Sequence, residues 1–194
     1  KTQAAMLEAM QEKQVTAAGE TYQLPRPFFV LATQNPIDQG GTYPLPEAQT
    51  DRFLLKILVD YPSMDEERDI VRLYAEGREP EEVERVLSAE ELRTVQSLAR
   101  EVPIADDIRD RAIDLARATR TDERLEFGAS PRASMALVLT GKARAFMQGR
   151  SHVSWEDIEA MAAPVLRHRV ILDFRAEREG QSPDDVIADL VDEA

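Results

Sequence analysis

The chain holds 194 residues with no cysteine, 43% hydrophobic and 31% charged residues, and a formal net charge of −13. Disulfide scaffolds and thiol chemistry are excluded within it, and the composition is that of a folded, soluble chain of one or two domains, neither disordered nor low in complexity. Its longest apolar runs, Phe28 to Ala32 and Phe53 to Val59 interrupted by Lys56, fall far short of the roughly 20 residues a membrane-spanning helix needs.

Charge is unevenly spread. Residues 1–59 carry 5 Lys and Arg against 6 Asp and Glu, whereas residues 60–194 carry 19 against 31, so −12 of the −13 follows Val59. This shift marks a division near Tyr61-Pro62, giving expected domains of residues 1–62 and 63–194. A strongly acidic second half argues against nucleic acid as a partner, because binding to phosphates requires a basic face. The first residue is Lys1, and a helical pattern starts at once with no cap ahead of it. The chain is therefore expected to be part of a longer one.

Ala4, Leu7 and Met10 recur at helical spacing and predict a half-buried helix ending near Lys13. Val15-Thr16-Ala17 and Tyr22-Gln23-Leu24 flank Ala18-Gly19-Glu20, which predicts a short β-hairpin closed by Pro25 and Pro27. Phe28 to Thr33 is apolar without alternation, as expected of a strand covered on both faces in a parallel sheet. Gln34-Asn35-Pro36 then lies at the carboxyl end of that strand, where open α/β sheets place their ligands. Residues 37–46 read as loop, Glu47 to Asp51 as a helical turn ending at Arg52, and Phe53 to Val59 as a second strand.

Beyond Pro62 the chain reads as helices with explicit start signals. Ser63 with Glu66 forms a capping box for a helix that stops before Gly77. Ser88 with Glu91, stapled by Leu87 and Leu92, opens another that runs to Pro103. A third spans about Asp106 to Thr119. Ser130-Pro131 supplies an N-cap and a first-turn proline to a fourth, reaching about Gln148. Ser154 with Asp157 caps a fifth, which Pro164 kinks or ends. Ser182-Pro183 begins a last acidic helix.

Familiar catalytic signatures are missing. The only histidines, His152 and His168, have no carboxylate at ligand spacing, which leaves them structural or surface roles and no metal site or hydrolase triad. No phosphate-cradling glycine motif occurs. Three polar residues stand in informative places: Asn35 after the first strand, Arg52 before the second, and Arg132 in the first turn of the Ser130-Pro131 helix. Each has a plain structural reading: Asn35 capping a turn, Arg52 paired with Asp51 or Glu47, Arg132 solvated. Arg132 fits its plain reading least, since a cation at a helix N-terminus is disfavoured by about 0.3–1 kcal/mol. An anion shared between the helix end and the guanidinium removes that conflict.

Four blocks taken together resemble the MoxR family of AAA+ ATPases: Leu7 to Val15, Phe29 to Pro36, Gly41 to Phe53, and Gly128-Ala129-Ser130-Pro131-Arg132-Ala133. The resemblance covers essentially the whole chain. It implies the C-terminal part of an α/β AAA+ core, beginning just after Walker B and containing parallel-sheet strands and a hairpin insertion before sensor 1, followed by an all-α helical lid. It makes Asn35 sensor 1, Arg52 the arginine finger and Arg132 sensor 2, with Arg52 reaching a neighbouring subunit and Arg132 acting within its own. It further implies a cytoplasmic homo-oligomer, expected as a hexameric ring, that hydrolyses ATP with Mg2+ and acts as a chaperone on protein complexes, including metal insertion. A von Willebrand factor A domain protein and client proteins are the implied partners, and the acidic lid is a candidate docking face.

The implied chemistry suits these residue types, because phosphoryl transfer relies on positioned charge. Walker A and Walker B, with the magnesium ligand, the phosphate-binding lysine and the catalytic glutamate, are absent from the chain, so alone it is expected to be inactive. In the family's sheet the Walker A strand lies between the strand before sensor 1 and the strand after the finger. Phe28–Thr33 and Phe53–Val59 are therefore expected to face an empty slot, pairing abnormally or contacting another chain. Two alternatives stand beside this reading: a non-catalytic helical interaction module, and a related magnesium chelatase or helicase-type AAA+ protein.

Overall fold

The computed structural model describes residues 2–17, 19–34, 46–77 and 83–194. It divides into two compact units, one of residues 1–56 with 89–194 and one of residues 57–88.

In the first unit, α1 (Thr2–Glu12) ends where Lys13 takes a left-handed φ of 53°, and the chain turns into β1 (Gln14–Ala17). β1 pairs antiparallel with β2 (Glu20–Gln23), Val15 opposite Tyr22, across a turn in which Gly19 has φ of +85°. The expected hairpin is present. Phe28–Thr33 and Phe53–Val59 are not strands, which corrects the expectation of two strands belonging to a parallel sheet. Phe29 is 69% exposed, Leu31 86%, Ile57 72% and Val59 90%. A strand is stabilised by hydrogen-bonded neighbours, and no described residue of this chain lies beside either segment in a ladder. The abnormal pairing expected of the two segments is likewise not found among the described residues.

α2 (Glu47–Thr50) is the helical turn before Arg52. The core is built from α5 (Asp106–Ala118), α6 (Pro131–Met147), α7 (Trp155–Leu166) and α9 (Pro183–Glu193), with α5 and α7 packed on α6 and α9 packed on α5 and α7, while α4 (Ala89–Glu101), which has no buried residue, lies against α6. Leu115, Leu137, Ile158, Val165, Leu166, Val186 and Ile187 are almost completely buried. α6 is buried through small residues, Ala133, Ala136, Gly141 and Ala145, which let its neighbours approach. At Gly141 an added Cβ would stand 2.7 Å from Ile158 Cδ1, so the end of the Ile158 side chain occupies the space this glycine leaves on α6. Ser154 and Asp157 form the expected capping box of α7, and Ser182 with Asp185 forms one on α9. Pro164 lies in the last turn of α7, where the helix ends two residues later.

Two features were not legible as elements. β3 (Leu125–Phe127) pairs antiparallel with β4 (Ile171–Leu172), and α8 (Phe174–Arg178) is capped by Asp173. The second unit contains α3 (Met64–Ala75), opened by the expected capping box of Ser63 and Glu66, with Ile70, Val71 and Tyr74 exposed.

Candidate functional site

The Gly128-Ala129-Ser130-Pro131-Arg132 block is explained residue by residue. Gly128 lies against the end of α5, where an added Cβ would meet Thr119 O at 2.4 Å and Arg120 N at 2.6 Å. Ala129, 1% exposed, donates its amide to Thr119 Oγ1 at 2.9 Å and accepts from Arg120 Nε at 2.8 Å. Ser130 caps α6, its Oγ accepting from the Arg132 amide at 3.2 Å, and Pro131 fills the first helical position. Arg132 is thereby placed on the rim of the helix start, its side chain 48% exposed.

Asp51 joins this helix start to the segment that carries Arg52. Its carboxylate accepts from Ser130 Oγ at 2.9 and 3.1 Å and from Arg169 Nε at 3.1 Å, and Arg132 Nε stands 3.7 Å away. The anion shared between the helix end and the Arg132 guanidinium is therefore the chain's own. A carboxylate at this end is favoured by the helix dipole and offsets the placement of Arg132.

Arg52, the expected finger, is different. Its Nε and Nη1 are buried without a hydrogen-bond partner, so neither Asp51 nor Glu47 holds those nitrogens. A buried donor left unsatisfied costs about 1–3 kcal/mol, more when charged. The buried Gln49 Oε1, one turn earlier, also lacks a partner. Asn35, the expected sensor 1, lies outside the described residues.

Residues 51–56 are tied to the chain just after α7. Arg169, with a side chain 2% exposed, donates to Asp51 O at 3.1 Å, Phe53 O at 2.6 Å and Leu54 O at 3.2 Å, as well as to Val165 O in the last turn of α7. His168 Nε2 lies 3.0 Å from Phe53 O, a contact in which the ring nitrogen must donate. Arg167 Nη1 donates to Lys56 O at 3.3 Å, and the Lys56 amide to Pro164 O at 2.9 Å. Burial pulls the His168 pKa down to about 4, so the ring is neutral near pH 7. Burial also lowers the Arg169 pKa, opposed by the Asp51 carboxylate. Sequence reasoning assigned His168 a structural or surface role and passed over Arg169. Each contacts residues more than a hundred positions away, and no local pattern marks such a pairing.

Among the described residues no group of three or more His, Cys, Asp or Glu is placed to hold a metal ion. Among the described residues the Arg52 and Arg132 guanidinium groups suit the anionic end of a nucleotide in chemical type, and no phosphate cradle is formed. Among the described residues no helix is long and apolar enough to cross a membrane.

Comparison with known proteins bears on the family of the chain. Residues 1–55 match the family model described as ATPase family associated with various cellular activities (AAA), and residues 117–190 match the AAA lid domain. The chain is 41% identical to Chaperone MoxR1 of Mycobacterium tuberculosis, over 96% of this chain and 52% of that protein. It is 40% identical to protein YeaC of Bacillus subtilis, over 98% of this chain and 60% of that protein, and 32% identical to Protein MoxR of Methylorubrum extorquens, over 88% and 55%. The chain thus spans between half and two thirds of the length of these relatives. A crystal structure of a protein from Cytophaga hutchinsonii, assigned as an ATPase, superposes with a TM-score of 0.91 at 38% identity, covering 99% of this chain and 61% of that one. With core and lid models both matched and MoxR relatives aligned over most of its length, the chain belongs to the MoxR family of AAA+ ATPases.

Proposed function

We propose that this chain supplies the sensor and finger residues of a ring-forming ATPase that couples ATP hydrolysis to remodelling or assembly of protein complexes, metal insertion included. In that assembly residues 1–62 complete an α/β core and residues 63–194 form the lid. Mg2+ and most of the nucleotide are held through the family's Walker motifs, which this chain does not contain. The ring is a cytoplasmic hexamer, with a von Willebrand factor A domain protein and protein clients as partners.

The observation that carries this reading is the Arg52 guanidinium, two of whose nitrogens are buried without an acceptor. Phosphoryl oxygens across a subunit boundary supply such acceptors, and reorientation of the side chain at assembly is enough to present it. Arg52 then stabilises charge developing on the transferred group, Asn35 orients the attacking water, and Arg132 contributes a second cation. The Asp51 carboxylate, adjacent to Arg52 in the chain, binds Ser130 and lies beside Arg132. Arg52 is proposed to serve the nucleotide of the neighbouring protomer and Arg132 that of its own subunit.

The test is ATP hydrolysis by the full-length polypeptide carrying Arg52→Ala, Arg132→Ala or Asn35→Ala, alone and mixed with wild type. A finger arginine is worth about 10³–10⁵ in rate, so Arg52→Ala is expected to fall by at least about 10³-fold. Undiminished hydrolysis in the Arg52 and Asn35 variants overturns the assigned roles.

A further inference from the structure

We propose that Arg169 is a positioning residue for ATP hydrolysis: it fixes the finger segment at residues 51–54 against the end of α7 and, through Asp51, locks that segment to the start of the helix bearing Arg132. This deepens the reading above and rests on it. Arg169 lies three residues beyond α7 and is not expected to touch nucleotide, since its side chain is 2% exposed.

The argument is one of bonding. A guanidinium has five N–H donors in a rigid planar fork. Arg169 commits its three nitrogens to the Asp51 carboxylate, the backbone carbonyls of Asp51, Phe53 and Leu54, and Val165 O. Three carbonyls within four successive residues around Arg52 are thus held by one side chain. Residues 51–54 form no regular helix or strand that would hold them by itself. Val165 O belongs to the last turn of α7, where carbonyls lack intrahelical partners and a cation is favoured. One buried side chain therefore ties a non-repetitive segment to a rigid helix on one side and to Ser130, through Asp51, on the other. Lysine offers a single ammonium on a flexible stem and cannot span the same set of acceptors.

A rate that depends on a guanidinium in place is sensitive to small displacements, and about 1 Å can cost on the order of 10²-fold. Arg169→Met in the full-length polypeptide is expected to lower kcat for ATP about 10–100-fold with KM within about threefold, because substrate binding through the remaining machinery persists. Arg169→Lys, which preserves the charge, is expected to show the same split with a smaller fall.

The decisive measurement uses mixed rings. Arg169→Met subunits are combined with excess subunits in which the family's phosphate-binding lysine is replaced by alanine, so that the latter cannot hydrolyse ATP but present an intact finger segment. Arg52→Ala subunits in the same mixture serve as the reference. Recovery of hydrolysis by both variants supports positioning in trans. Recovery by Arg52→Ala without recovery by folded Arg169→Met or Arg169→Lys overturns the role given to Arg169 and leaves the finger intact. Failure of Arg52→Ala to recover overturns the finger reading itself. Should Arg169→Met show a lowered thermal midpoint, Arg169→Lys carries the comparison, and wild-type kcat in that folded variant overturns the proposal.

Discussion

Gly128 offers a sharp test of how the helix start is held. Its φ lies outside the left-handed region, so conformational freedom does not explain the residue. Space does. In Gly128→Ala the new Cβ would stand 2.4 Å from Thr119 O and 2.6 Å from both Arg120 N and Arg120 Cα, all of them backbone atoms. An ordinary contact requires a retreat of about 1 Å, and backbone at the end of a packed helix yields poorly. The retreat stretches the Ala129 amide bond to Thr119 Oγ1, now 2.9 Å, and the Arg120 Nε bond to Ala129 O, now 2.8 Å. Two hydrogen bonds at about 1 kcal/mol each, with about 1–3 kcal/mol for overpacking, give a loss of about 3–5 kcal/mol. Reduced freedom of the unfolded chain returns about 0.4–1 kcal/mol. The net expectation is about 2–5 kcal/mol, read as a shift in the urea midpoint at unchanged m value. A midpoint within error of wild type would refute the close-approach argument. Because the same displacement moves Ser130 and Arg132, hydrolysis by the full-length variant should also fall.

Three further outcomes follow from one buried and one half-buried ionisable group. Asp157, 0% exposed, bonds Arg144 Nη1 at 2.8 Å, Arg150 Nη2 and the Ser154 amide at 3.1 Å, so Asp157→Ala should cost about 3–5 kcal/mol in chemical denaturation. Burial alone would raise its pKa, but the Ser154 amide and the two guanidinium groups outweigh that and hold it below the ordinary 3.8. Its contribution is therefore present above about pH 4 and lost as pH falls further, and the acid limb of the stability profile should shift in Asp157→Asn. For His168 the folded pKa is depressed from 6.5 to about 4, so the unfolded chain binds the proton first. Stability is then full above pH 6.5 and lost as pH falls toward about 4. The shift corresponds to about 3 kcal/mol at most, and partial exposure brings this to about 1–2 kcal/mol. In His168→Gln that decline between pH 6.5 and 4 should flatten, and a profile parallel to wild type would contradict the assignment.

What was legible in the sequence was local. Ser63 with Glu66 and Ser154 with Asp157 announce helices because both partners of the capping box lie within one turn, and Gly19 marks the hairpin turn for the same reason. Phe28–Thr33 and Phe53–Val59 have strand composition, yet strand pairing depends on a neighbour, and among the described residues none stands there. β3 and β4, of three and two residues, are too short for alternation to register. Arg52 and Arg132 stand out through family resemblance, and Arg132 also through its conflict with the helix dipole. Nothing nearby marks Arg169, whose acceptors lie at Asp51, Phe53 and Leu54, more than a hundred residues earlier.

Asp51 makes the two arginines unequal. Near one carboxylate the chain gathers a serine hydroxyl, the buried Arg169 and the half-exposed Arg132, so the helix start already has its anion. A site with its charges internally matched gains little from a further anion unless binding exchanges one partner for another. Arg132 can make that exchange, since its Nε is 3.7 Å from Asp51 and its side chain is 48% exposed, whereas Arg169 cannot leave without unpairing the half-buried Asp51 carboxylate and four carbonyls. Arg52 has no such internal match at Nε and Nη1. Its unmet donors are the part of the cluster whose free energy improves most when anionic oxygens arrive, and this is the physical ground on which Arg52 is proposed to meet phosphates at a subunit boundary.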